Sequence, residues 1–224
     1  MTDALSFLAL LQQYRAIAVL RCQNLDQALP LALALAAGGL RLMEVTWNSP
    51  CPGPLLTQLR QSLPHCQIGA GTLLSMADLE AARAAGAAFA FSPHTDQAMV
   101  TWAINHGLPF VPGALTPSEI VTAWQAGATA VKVFPITAVG GVAYLRSLGG
   151  PLDNIPLVPT GGVSLENAPQ LLAAGAIAVG LSTALCPPDE IARGDWPMIT
   201  TRAQTLVESL KPFTHDARGD QPVI

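Results

Sequence analysis

Ala126-Gly127-Ala128-Thr129-Ala130-Val131-Lys132-Val133-Phe134-Pro135 contains both halves of one structural unit. Gly127 stands where an alanine-rich helical stretch must stop, as the left-handed residue that closes a helix. Residues 130–134 follow as a short apolar strand rich in β-branched side chains. The same hand-over recurs at Ala37-Gly38-Gly39, Ala85-Gly86-Ala87 and Ala174-Gly175-Ala176, each leading into a strand candidate at 40–46, 88–92 and 177–181. Four further apolar runs lie between them, at 17–21, 67–70, 109–112 and 157–160. Eight strands spaced roughly 20–27 residues apart leave room for one helix each. Helices are expected over 26–37, 54–62, 76–85, 95–106, 117–126, 141–149, 165–174 and 197–210. Ser75, Thr116-Pro117-Ser118-Glu119 and Ser164 supply start signals for three of them. Eight alternating βα units predict an α/β fold: one (β/α)8 (TIM) barrel over residues 1–210, with an extra N-terminal helix. A doubly wound open sheet has the same periodicity. Residues 211–224 lose the pattern and read as a loosely held tail.

Composition fits one buried parallel sheet. Half of the 224 residues are hydrophobic and 12% are charged, enough apolar material for a large core. Mean hydropathy is +0.40. Parallel strands covered on both faces account for it, since no apolar run reaches the 18 residues of a membrane span. Residues 1–11 lack a basic start and a cleavage site, so no secretory signal is expected. The net charge of −4 and the absence of a basic stripe argue against a nucleic-acid partner. Cys22, Cys51, Cys66 and Cys186 form no CxxC pair, and a reduced, cytoplasmic setting is expected. The four histidines, His65, His94, His106 and His215, show no metal-ligand spacing, and no GxGxxG fingerprint is present. Neither a metal nor a cofactor is expected.

In such a barrel the chemistry sits at the carboxyl ends of the strands. Arg21 falls there, as do Glu44, Thr46 and Asn48, the Gly69-Ala70-Gly71-Thr72 turn, Ser92-Pro93-His94, Pro112-Gly113, Lys132 with Phe134, Thr160-Gly161-Gly162, and Gly180-Leu181-Ser182. Lys132 is the sharpest of these. The chain has two lysines, and the other is Lys211. An ammonium inside Ala-Val-Lys-Val-Phe-Pro is costly to bury. Burial disfavours its charged form, and a neutral amine attacks carbonyls. Glu44, inside Leu-Met-Glu-Val-Thr, could relay protons for such an amine. The bland alternative is a buried Lys132–Glu44 ion pair, although such a pair stabilises poorly compared with apolar packing. For Glu44 alone the alternative is an outward, solvated position. Gly161-Gly162 before Ser164 offers amides at a helix start, and Gly180-Leu181-Ser182 offers a second loop. The loops after the last two strands are the usual phosphate seat. Thr72 could hydrogen-bond a carboxylate, or its Gly-rich stretch could be an ordinary tight turn.

Six motifs in register carry a family resemblance: Glu44-Val45-Thr46, Ile68-Gly69-Ala70-Gly71-Thr72, Phe91-Ser92-Pro93, Phe110-Val111-Pro112-Gly113, Val131-Lys132-Val133-Phe134-Pro135 and Pro159-Thr160-Gly161-Gly162-Val163. Together they resemble the class I 2-keto-3-deoxy-6-phosphogluconate (KDPG) and 4-hydroxy-2-oxoglutarate (KHG) aldolases over about residues 15–210. The resemblance implies a metal-free Schiff-base lyase working as a homotrimer on a phosphorylated keto acid. It implies Lys132 as the Schiff-base residue and Glu44 as the acid/base. Thr72, Pro93 and Phe134 would line the pyruvate pocket. Gly161, Gly162 and Ser182 would hold phosphate, assisted by Thr160 and Gly180, with Arg21 near the rim. Two positions depart from the family pattern. Asn48 stands where many members carry a substrate-binding arginine, and His94 stands where glycine commonly follows Ser-Pro. The Trp47-Asn48-Ser49-Pro50 string looks more like the branch acting on the galactonate epimer, which keeps 2-keto-3-deoxy-6-phosphogalactonate open as the substrate. More distant readings are a phosphate-binding barrel isomerase or synthase and a non-catalytic phosphosugar-binding barrel.

Overall fold

A computed structural model describes residues 4–214. Helix α1 (Ala4–Tyr14) precedes strand β1 (Ala16–Leu20), and strands and helices then alternate. The order is α2 (Leu25–Ala37), β2 (Leu42–Thr46), α3 (Pro52–Ser62), β3 (Gln67–Gly71), α4 (Met76–Ala84), β4 (Ala90–Phe91), α5 (Gln97–Asn105), β5 (Phe110–Val111) and β6 (Gly113–Ala114). There follow α6 (Pro117–Gln125), β7 (Val131–Val133), α7 (Val142–Gly149), β8 (Leu157–Pro159), α8 (Ala168–Ala173), β9 (Val179–Leu181), α9 (Pro188–Arg193) and α10 (Trp196–Leu210).

Every strand pairing is parallel. One sheet has the order β5-β4-β3-β2-β1-β9 and a second the order β6-β7-β8. Backbone contacts link the two sheets on both sides. Thr160 and Gly180 form a bridge between β8 and β9. On the other side the amide of Thr129, just before β7, donates to Phe110 O of β5 at 2.9 Å. The fifth strand expected at 109–112 continues through 114 in two pieces, β5 and β6, each belonging to a different sheet.

Local chemistry explains the elements. Ser75 with Asp78 and Thr116 with Glu119 form reciprocal capping boxes at α4 and α6. Asp96 accepts from the amides of Ala98 and Met99 at the start of α5. The helix-closing glycines 39, 86, 127 and 175 all have positive φ, between 90° and 102°, the conformation their sequence pattern anticipates. Helix α8 corrects the sequence reading. It begins at Ala168, after residues 165–167 form a turn across which Ser164 and Asn167 accept from each other's backbone amides. Helix α9 was not anticipated, and its six residues interrupt what reads as one long connection. Of the expected tail, residues 211–213 form a 3-10 turn whose Phe213 packs on the core. Residues 215–224 lie outside the described residues.

Alternation along the strands divides the interior in two. Ile17, Leu42, Phe91, Val111, Ala130, Val158 and Ala178 meet inside the sheet together with Phe7, Leu11 and Phe89. Their neighbours Ala16, Ala18, Met43, Val131 and Val179 face the surrounding helices. Phe7 and Phe89 stack at 4.7 Å, so α1 covers the interior at the amino ends of the strands. Counting two residues onward from these inward positions gives Val19, Glu44, Lys132, Thr160 and Gly180. The next inward layer therefore lies toward the carboxyl ends.

Candidate active site

That layer lines a cavity of about 500 Å³, large enough for a small metabolite. Eleven of the twelve site residues expected from sequence border it: Arg21, Glu44, Thr72, Pro93, Lys132, Phe134, Thr160, Gly161, Gly162, Gly180 and Ser182. Asn48 does not. It is exposed on the turn after β2, a turn pinned by a Thr46–Ser49 hydroxyl contact at 3.1 Å and by the Cys22 amide donating to Ser49 Oγ. His94 is also exposed and outside the cavity, and its carbonyl accepts from Ser92 Oγ at 2.6 Å and from Gly113 N at 3.2 Å. Its part is to tie the end of β4 to the β5–β6 junction.

Lys132 is 5% exposed and Glu44 is 1% exposed. The expected alternative of a close ion pair is not what the side chains form. Among the described residues the ion pairs within 4.0 Å are Arg202–Glu190 and Lys211–Glu208. Lys132 Nζ instead faces two aromatic rings, 5.1 Å from the centroid of Phe134 and 5.8 Å from that of Phe91. Cation–π attraction can hold an ammonium there without a carboxylate partner, which leaves the nitrogen open toward the cavity.

Glu44 is poised differently. Its Oε1 is buried and has no hydrogen-bond partner among the described residues. Burial pushes its carboxyl above the usual range, while the positive charges of Lys132 and Arg21 pull the other way. A carboxyl raised by desolvation beside a cationic group is the pattern of a proton-transfer residue. Gly71 makes room for it, because a Cβ on Gly71 would overlap the carboxylate. Thr72, one residue on, has φ of +58°. A β-branched residue in the left-handed region is strained, and such strain gathers at ligand-binding sites.

The far wall is made of loops. Gly161 and Gly162 both have positive φ, 87° and 82°, and a Cβ on Gly162 would overlap Thr137 Oγ1. Among the described residues the amides of Gly162, Val163, Thr183 and Ala184 donate to no protein acceptor. Two facing loops of free amides make an anion seat. Because α8 starts late, this seat is built from loop amides and not from the helix terminus that the sequence suggested.

Comparison with known proteins bears on this constellation. The sequence profile described as "KDPG and KHG aldolase" matches residues 8–202. The 2-dehydro-3-deoxy-phosphogluconate aldolase of Treponema pallidum is 33% identical over 88% of this chain and 94% of its own. The KHG/KDPG aldolase of Escherichia coli K12 is 34% identical over 87% and 92%. The chain belongs to the KDPG and KHG aldolase family. Among solved structures, a KDPG aldolase from Legionella pneumophila, with pyruvate captured as a covalent carbinolamine, superposes with a TM-score of 0.83. It is 30% identical and the match covers 89% of this chain and 97% of that one.

Within this aldolase, the cavity wall contains residues that motif reading passed over. Val19 lies two residues beyond the inward Ile17, so strand alternation alone could have found it. Thr183 and Ala184 contribute backbone, which no side-chain pattern reports. Phe91, beneath the Lys132 nitrogen, was quoted for its motif and not for its ring.

Proposed function

We propose that this family member cleaves 2-keto-3-deoxy-6-phosphogluconate to pyruvate and glyceraldehyde 3-phosphate through a Schiff base on Lys132, and that it also takes 4-hydroxy-2-oxoglutarate. The observation that carries the reading is the nearly buried Lys132 amine, unpaired and facing the same cavity as the buried Glu44 carboxyl. In its neutral form Lys132 attacks the C2 ketone, forming a C–N bond and a carbinolamine. Glu44 donates the proton that lets water leave, giving the protonated imine. The C4 hydroxyl gives its proton to the Glu44 carboxylate, the C3–C4 bond breaks, and its electron pair moves into the imine to form an enamine and free aldehyde. The enamine takes that proton at C3 from Glu44, and water hydrolyses the resulting imine to release pyruvate. Thr72 and Pro93 border the keto-acid end, with Phe134 packed beside it. The amides of Gly162 and Val163, with Arg21, Thr160, Gly161, Gly180 and Ser182 around them, receive the phosphate.

This reading takes the two sheets as one closed (β/α)8 barrel with α1 as an added helix. The Thr160–Gly180 bridge and the Thr129 amide bond to Phe110 O support closure. The reading also takes residues 1–210 as a single domain, active as a homotrimer in the cytoplasm. Borohydride reduction in the presence of pyruvate tests it. A covalent pyruvate adduct on the peptide carrying Lys132 is expected; an unmodified Lys132, or an adduct elsewhere, would refute the mechanism.

A further inference from the structure

A second cavity opens at the other end of the sheet, where β3, β4 and β5 begin. At about 710 Å³ it is larger than the catalytic one. Arg60, Arg83 and His106 line it, and among the described residues no Asp or Glu does. This is unusual in a chain whose net charge is −4.

Arg60 and Arg83 lie in the last turns of α3 and α4, and His106 caps α5. The simplest account is that cations there answer the negative ends of their own helices. His106 does so, its Nδ1 lying 2.8 Å from the Trp102 carbonyl of α5, but the two arginines do not. Among the described residues, neither guanidinium hydrogen-bonds a carbonyl nor meets a carboxylate within 4.0 Å. Arg60 reaches across to the next βα unit and rests on Gly86, where a Cβ would overlap its guanidinium. Arg83 reaches to the unit after its own. Its Cζ lies 6.0 Å from the centroid of Trp102, whose ring stacks on His106 at 4.0 Å. Both heads thus lie between helices at the protein surface, their N–H donors bonded to no protein acceptor among the described residues, and each guanidinium has five.

We propose that this basal cavity binds a small phosphate-bearing polyanion at a site separate from the substrate site. Planar guanidinium forks match both carboxylate and phosphate oxygens. Two forks and an imidazole, arriving from three helices, suit a tetrahedral group with several terminal oxygens better than a flat carboxylate. The volume suits a phosphorylated metabolite rather than a bare ion. The inference stands whether or not Lys132 forms a Schiff base.

The test is an amide NMR titration of the full chain with inorganic pyrophosphate. Saturable shifts are expected at Gly86, Ala87 and Gly107, distinct from any at Gly162 and Ser182. Arg60→Gln and Arg83→Gln change exposed residues, and each should weaken the basal response at least about tenfold. Neither should alter the rim response or aldol cleavage. Citrate, offering carboxylates alone, should bind more weakly. The proposal fails if the three basal amides do not respond, if both variants bind as the parent chain does, or if citrate binds more tightly than pyrophosphate.

Discussion

Gly71→Ala tests whether the position of the Glu44 carboxyl matters and not merely its presence. Gly71 lies outside the left-handed region, so its backbone tolerates alanine. The new methyl would stand 2.5 Å from Glu44 Cγ, where ordinary contact begins at 3.4 Å, so the side chain must give by about 0.9 Å. The carboxylate oxygen sits closer still to the methyl and must move further. Glu44 is enclosed, so the shift cannot be absorbed into solvent. A misplacement of about 1 Å can cost on the order of 100-fold in rate, equivalent to about 2.7 kcal/mol of transition-state stabilisation. Steady-state kcat, followed by coupling pyruvate release to lactate dehydrogenase, should fall by that order in a protein with unchanged near-UV dichroism. Because the methyl acts through the carboxyl, adding Gly71→Ala to Glu44→Gln should produce little further loss, a strongly non-additive cycle. Losses that multiply in the double variant, or a kcat within about threefold of the parent, would refute the reasoning.

Glu44→Gln itself should lower kcat about 10²- to 10⁴-fold, the usual span for a general acid–base group. It should also change how stability responds to pH. Burial raises the folded-state value of Glu44, so its contribution is full below the unfolded value, about 4.3, and is lost as pH rises through the folded value. The Tm of Glu44→Gln relative to the parent should therefore be more favourable at pH 7 than near pH 4, and a pH-independent difference would contradict this. Gly162→Ala forces a side chain to φ of +82° and into Thr137. KM for the phosphorylated substrate should rise at least about tenfold, the loss expected when charge-assisted hydrogen bonds are disturbed, while adduct formation with pyruvate persists; equal damage to both would remove the phosphate role. Asn48→Ala should change kcat/KM for the gluconate- and galactonate-derived substrates by less than about threefold, since an exposed residue outside the cavity makes no contact to lose; a larger, epimer-selective change would show that the β2 turn closes over substrate.

The α/β fold with its parallel strands was legible because its signals are local and repeated. Helix-closing glycines followed by short apolar strands need only chain sterics and burial on both strand faces, and both can be read from residue order. Lys132 and Glu44 were legible for a related reason: a charge within an apolar strand is costly unless something uses it. Features set by tertiary geometry were not legible. The start of α8 is one of these: Ser164 and Asn167 bond each other's backbone amides as a capping box does, yet residues 165–167 remain a turn and the helix begins at Ala168. Asn48 does lie on the turn at the carboxyl end of β2, but it is exposed there and does not border the cavity, which its spacing from Glu44 cannot report. Of the two rings around the Lys132 nitrogen, Phe134 follows it by two residues and was legible, whereas Phe91 comes from β4 and leaves no trace in the spacing around Lys132.

One arrangement explains why a single interior can be both packed and reactive. Toward the amino ends the inward positions are Ile17, Leu42, Ala130, Val158 and Ala178, closed over by Phe7 and Leu11. One step of strand alternation later, the same strands present Val19, Glu44, Lys132, Thr160 and Gly180. The apolar layer excludes water from below, which keeps the Glu44 carboxyl high and gives the lysine nitrogen an aromatic rather than an aqueous floor. The loops above supply donors without adding charge to the interior. Glu44 and Lys132 are thus borne by strands whose preceding residues are locked in the core, so their positions are fixed at the rigid end of the molecule. Variation confined to the rim loops can reshape the cavity wall while leaving these two side chains where they are.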